Sequence, residues 1–213
     1  MVDVAFGLTA IASIFAIVDP LGAVPFFLAL TDGYSREEKR RVIAKSCLVA
    51  LTILLVFGLA GQYIFLTFGF TIPSFQIAGG LLLFAIAFEM LRGERVRAKG
   101  SEPEHRDAVE REGVGVVPLG IPLLAGPGAI TTVMVYMSHP TAEPLDKVFV
   151  FVGIFLAILG ALFALQYSDT VGRRLGRAGT MALSRLMGLL LAAVGVQFVI
   201  NGIIGTARLY GLM

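Results

Sequence analysis

Apolar residues in this chain fall into six long runs, and polar residues gather between them. The runs cover residues 4–30, 42–66, 72–91, 114–137, 148–168 and 183–204. Each reaches the roughly 17–25 residues that a helix needs to span a bilayer, so the pattern predicts six transmembrane helices. Ten-residue stretches of alternating polarity, the mark of a membrane β-barrel, are absent from the sequence. Two runs are interrupted. Residues 17–27 read "IVDPLGAVPFF", with an aspartate, a glycine and two prolines inside the first run, and the fourth run holds Gly126-Pro127-Gly128 shortly after Pro122. An interior proline removes a helical hydrogen bond and clashes with the preceding turn, and it pushes the residue before it toward extended backbone.

Asp-Pro is also a helix start, with aspartate as cap and proline in the first turn. The first span is therefore expected as two half-helices, the second running from Pro20 to about Leu30. In the fourth span the second half is expected from Pro127 to about Met137. Pro20, Pro25, Pro122 and Pro127 are the candidate break points. A half of about 11 residues is roughly 16 Å long, about half the hydrocarbon core, so each break falls near the midplane.

Composition agrees with a membrane protein. The 213 residues are 57% hydrophobic and 15% charged, with a mean hydropathy of +0.87, against about 45–50% and 25% in ordinary soluble domains. Charge placement adds an orientation. Of the 17 lysines and arginines, 15 fall at the first, third and fifth connections or their borders, leaving only Lys147 and Arg208 for the other side. The positive-inside rule then places both termini outside and residues 93–113 in a cytoplasmic loop. The destination expected is the cell membrane. The N-terminal residues lack a basic n-region, so the first run is expected as a retained span rather than a cleaved signal peptide. Cys47 is the sole cysteine, and His105 and His139 fall in loops on opposite sides, so neither a disulfide nor a metal site is expected. No cofactor and no nucleic-acid partner is indicated.

The two interruptions repeat. Asp19-Pro20 and Gly126-Pro127 are 107 positions apart, and "GLLLFAIAFEMLRG" from Gly80 matches "GLLLAAVGVQFVIN" from Gly188 at an offset of 108. That alignment sets Glu89 opposite Gln197. Residues 1–92 and 114–213 would form two three-helix repeats, inserted upside down relative to each other, as in secondary transporters. The expected fold is thus an all-α membrane domain of six helices, with helices 1 and 4 broken.

Broken ends carry chemistry. A helix N-terminus offers unpaired N–H groups and partial positive charge. Irregular backbone at that depth is tolerated only when it is covered by protein or lines a cavity. Asp19 is the one carboxylate deep in a run, and an ionisable residue there is by default a functional candidate. Helix N-termini for a carboxylate and an aspartate for an ammonium describe a small zwitterion site. Its candidate lining is Asp19, Pro20, Leu21 and Gly22 from the first break, and Ala125, Gly126, Pro127, Gly128, Ala129, Thr131 and Thr132 from the second. Asp19 as a cap alone is a second, compatible reading. Glu89 sits near Arg92, where an interfacial ion pair accounts for it; it is also the second candidate, after Asp19, for proton coupling. Gly153, Ala157 and Ala161 follow the spacing of close helix packing.

The stretches "VDPLGAVPFFLALT" (residues 18–31) and "IPLLAGPGAITTVM" (residues 121–134) resemble the MarC family of membrane proteins over essentially the whole chain. Within it the chain is most similar to the small neutral amino acid transporters called SnatA. The resemblance implies transport of glycine, alanine, serine and similar substrates, driven by an ion gradient, the proton being the expected coupling ion. The family motifs fall on Asp19, Pro20, Gly22 and Pro25, and on Gly126, Pro127, Gly128, Thr131 and Thr132. Gly128 and Ala129 N–H groups, with Thr131 or Thr132, would hold the substrate carboxylate, and Asp19 the ammonium or a proton. A channel, or an exporter of another small metabolite on the same architecture, is the alternative. An aspartyl protease needs two facing carboxylates, and Asp169 belongs to the far end of the fifth run. No oligomeric state follows from the sequence.

Overall fold

A computed structural model of the chain describes residues 4–92, 113–138 and 143–211, without the side chains of residues 89, 90, 145, 169–178, 180, 181, 183 and 184. Among the described residues there are seven helical elements: α1 (Val4–Val18), α2 (Ala23–Leu30), α3 (Arg36–Phe68), α4 (Ile72–Arg92), α5 (Gly115–Leu124), α6 (Pro127–Met137) and α7 (Pro144–Leu209). Four stretches are long and apolar enough to cross a membrane: Val4–Leu30, Arg36–Phe68, Asp146–Ser168 and Arg185–Leu209. The pair α5–α6 qualifies as a fifth across a bend of 52°, and the apolar part of α4, Ile72–Phe88, is shorter.

Local sequence sets the ends. Ser35 caps α3 by accepting the Glu38 N–H while Glu38 accepts the Ser35 N–H, a reciprocal capping box. Gly69, in the left-handed region at φ 67°, ends the same helix. The element α5 is a wide, π-type helix with extended backbone at Val117 and Ile121, each followed by a cis proline, Pro118 and Pro122.

Contacts fix the directions. Phe149 packs on Gly7, Ile11 on Gly153 and Phe15 on Gly160, so the first part of α7 runs parallel to α1. Ser13 bonds Tyr136 while Ile17 lies against Gly128, so α1 and α6 are antiparallel. Gly115 meets Val42 and Gly120 meets Val49, so α5 follows α3. Pro73 meets Gly205, Ile77 meets Gly202 and Gly80 meets Gly195, so α4 and the last part of α7 are antiparallel. A straight helix would hold Gly160 and Phe198 about 57 Å apart. Yet Pro20 closes over Gly160, and Phe198 reaches Gly128 beside Ile17. The helix α7 therefore turns back on itself between its two apolar stretches.

The main core gathers Ile14, Phe27, Leu54, Leu124, Ile130 and Ile154 around α1–α3, α5, α6 and the first part of α7. A smaller one joins Leu83, Ile86 and Ala87 of α4 to Met187 and Leu191 of α7. Gly153, Ala157 and Ala161 are all buried, with Ile11 Cα only 3.1 Å from where a Cβ on Gly153 would stand. The small-residue spacing does serve close packing.

Candidate functional site

The first break spans Asp19–Gly22. Asp19 still donates its N–H to Phe15 O at 3.2 Å, then takes a left-handed backbone with φ 46°. That conformation is uncommon outside glycine, and aspartate is among the residues that tolerate it. Its side chain turns back so that Oδ1 accepts the Gly22 N–H at 3.0 Å. A Cβ on Gly22 would collide with Asp19 Oδ2, so the carboxylate cap and a side chain at this position exclude each other. Helical bonding resumes with Ala23 N–H to Asp19 O, 3.2 Å. The second half-helix thus starts at Ala23 rather than Pro20, since the carboxylate caps Gly22 and leaves Pro20 and Leu21 in the turn. Pro25 does not break the helix. It sits in the first turn of α2, where its missing N–H would have had no helical acceptor.

The second break follows the expectation at its centre. Gly126 is extended at φ −75°, ψ 171°, and α6 begins at Pro127. Ile130 donates to Gly126 O at 3.0 Å. Pro127 has no N–H, so Gly128 and Ala129 carry the first-turn N–H groups that find no acceptor within the helix. Upstream, the extended Ile121, the cis bond to Pro122 and the turn at Ala125 complete the discontinuity.

The two breaks meet in one cavity of about 170 Å³. Asp19 and Gly22 line it from one side and Gly126, Gly128 and Ala129 from the other. Apolar walls come from Ile17, Phe26, Leu83, Leu191, Val194 and Phe198, so α4 and the last part of α7 contribute as well. One carboxylate, on the exposed Asp19, and the first-turn residues Gly128 and Ala129 therefore border a chamber whose other walls are apolar.

Several expected residues lie elsewhere. Pro20 is buried, while Leu21 is 75% exposed, and neither lines the cavity. Ala125 and Pro127 are buried behind it, Pro127 packing against Gly79 of α4. Thr131 does not reach the cavity, and Thr132 gives its hydroxyl to Gly128 O at 2.9 Å, a back-bond within the helix. Both threonines lie one helical turn beyond the amides, farther along α6 than the chamber reaches. The Glu89 side chain, His105, His139 and the Asp169 side chain lie outside the described residues. The apolar lining had no signal in the sequence, since a phenylalanine facing a cavity and one facing lipid read alike.

The sequence model of the MarC family integral membrane proteins matches residues 4–207. A UPF0056 membrane protein of Methanocaldococcus jannaschii is 41% identical over 95% of this chain and 98% of its own length. Another from Aquifex aeolicus is 40% identical over 91% of this chain and 90% of its own. The UPF0056 membrane protein YhcE of Escherichia coli is 34% identical over 90% and 89% respectively. No solved structure matches. The chain belongs to the MarC family of integral membrane proteins.

Proposed function

We propose that the protein is a secondary transporter of small neutral amino acids, a carrier rather than an enzyme, working by alternating access around the cavity between the two breaks. The observation that carries this reading is the convergence of Asp19 and the Gly128–Ala129 amides on one chamber of about 170 Å³. A zwitterion has two charged groups of opposite sign at one carbon. The amides at the start of α6 suit its carboxylate, and Asp19 suits its ammonium. The Phe26, Phe198 and Ile17 walls bound a small apolar chamber, which suits the glycine, alanine and serine class.

Asp19 is the first candidate to carry a coupling proton across together with the substrate, and Glu89 the second. The antiparallel run of α1 and α6 supports a fold of two inverted three-helix repeats, with six crossings and a pivot at the paired breaks. The clustered arginines support a place in the cell membrane with both termini outside.

Radiolabelled glycine uptake into proteoliposomes under an inward proton gradient tests the reading. Wild type should accumulate glycine against its gradient, and Asp19→Asn should lose accumulation. Accumulation unchanged in Asp19→Asn would reduce Asp19 to a cap. Passive glycine leak with no acceleration by internal substrate would favour a channel, and no glycine movement by correctly inserted protein would end the substrate assignment.

A further inference from the structure

A larger cavity of about 580 Å³ shares no lining residue with the chamber at the breaks. It opens where α2 ends, α3 begins and the first apolar stretch of α7 ends, so all three elements meet on the side that carries the clustered arginines. Arg36, Lys39, Arg40 and Ile43 line it from α3, a spacing that sets them on one helix face. Phe27 and Leu165, both fully buried, form its floor.

Three cations in the first turns of a helix oppose its dipole, whose N-terminal end is already positive. The described lining residues include no carboxylate. The two carboxylates of the same turn are engaged elsewhere: Glu37 pairs with Arg41 at 2.7 Å, and Glu38 closes the capping box on Ser35. Arg36 and Arg40 make no ion pair among the described residues. Arg36 and Arg40 thus stand against the positive helix end, and an anion held between them makes both the cations and the helix end favourable.

We infer that this cleft binds the headgroup of an anionic phospholipid, with Arg36, Lys39 and Arg40 on the phosphate and the apolar floor against the glycerol and upper acyl carbons. A basic pocket between membrane helices at the headgroup level is where such lipids are held. A neutral amino acid passing to the chamber gains nothing from three like charges, and a soluble phosphate has no use for the Phe27–Leu165 floor. The site joins α3 to the end of the first α7 span and is independent of what the chamber transports.

The test is native mass spectrometry of the full-length protein released from micelles containing equal amounts of phosphatidylglycerol and phosphatidylcholine. Wild type should retain phosphatidylglycerol in about tenfold preference, and Arg36→Gln/Arg40→Gln should reduce that preference about tenfold, each cation near the surface contributing several-fold. Arg185→Gln, outside the cleft, should leave it unchanged. Size-exclusion profiles check folding, and Arg36→Lys/Arg40→Lys, which keeps both charges, should retain most of the preference. Equal retention of the two lipids by wild type overturns the proposal, as does an undiminished preference in the glutamine variant or an equal loss in Arg185→Gln. Displacement of phosphatidylglycerol by millimolar inorganic phosphate would assign the cleft to a soluble anion and overturn the lipid reading.

Discussion

Asp19 performs two tasks with different chemical requirements, and substitution separates them. As a cap it needs an acceptor for the Gly22 N–H and tolerance of φ 46°; asparagine meets both conditions and alanine meets neither. Asp19→Ala should therefore lower stability by about 1–2 kcal/mol, read as a reduced unfolding midpoint in detergent, while Asp19→Asn stays close to wild type. Transport should fail in both, which tells a folding defect from a lost charge. Gly128→Ala addresses the other side of the chamber. Its Cβ would stand 3.3 Å from Ile17 Cγ1 and 3.7 Å from Phe198 Cζ, a tight fit that removes room beside the substrate. Glycine uptake should survive while the ratio of glycine to serine uptake rises about tenfold, the usual scale of discrimination by a methyl-sized change. Asp19 and the Gly-Pro-Gly run were legible because a charge or a proline inside an apolar run has to be compensated. Phe26, Leu191 and Phe198 were not, because their neighbours have the same chemistry whether they face lipid, protein or substrate.

At the level of elements, the breaks are held in place by helices that contain none of the motif residues. The crossing of α4 with the last part of α7 is so close that a Cβ on Gly80 would lie 2.5 Å from Gly195 O, and one on Gly195 would lie 2.7 Å from Gly80 O. Backbone cannot yield there as a side chain can. Gly80→Leu or Gly195→Leu should destabilise the protein by about 1–3 kcal/mol or more and also reduce transport, because Leu83, Val194 and Phe198 on these same helices wall the chamber. Detergent unfolding and glycine uptake measured on one preparation read both effects. Helix identity here was legible from the apolar runs, as were the break at Pro127 and the small-residue seam at Gly153. The shape of α5 was legible only in part: Pro118 and Pro122 push Val117 and Ile121 toward extended backbone, but the apolar run gives no hint of the wide helical turns around them. Pro25 showed the opposite limit, since a proline's effect depends on its distance from a helix start, which Asp19 moved to Ala23.

For the molecule as a whole, the decisive question is whether α4 crosses the membrane. Its apolar part, Ile72–Phe88, is the shortest of the candidate spans, and a re-entrant α4 would leave five crossings, with the two ends of the chain on opposite sides. Register argues for a full crossing. Pro73 lies against Gly205, Ile77 against Gly202, Gly80 against Gly195, and Leu83 and Ala87 join Met187 and Leu191 in one core. The helix α4 thus runs beside Arg185–Leu209 for nearly the full length of a stretch able to span the bilayer. Arg92 at its end, stacked 4.2 Å over the Phe88 ring, can place its charge at the headgroup level while its stem stays in the apolar layer. Six crossings return both ends to one side, opposite the loop that holds Gly33. With Cys47 replaced by serine, single cysteines at Val4, Gly33 and Tyr210 report this directly through a membrane-impermeant maleimide applied to intact cells. Val4→Cys and Tyr210→Cys should label together and Gly33→Cys only after the membrane is opened. Labelling of Val4→Cys without Tyr210→Cys would make α4 re-entrant and overturn the proposed inverted repeat.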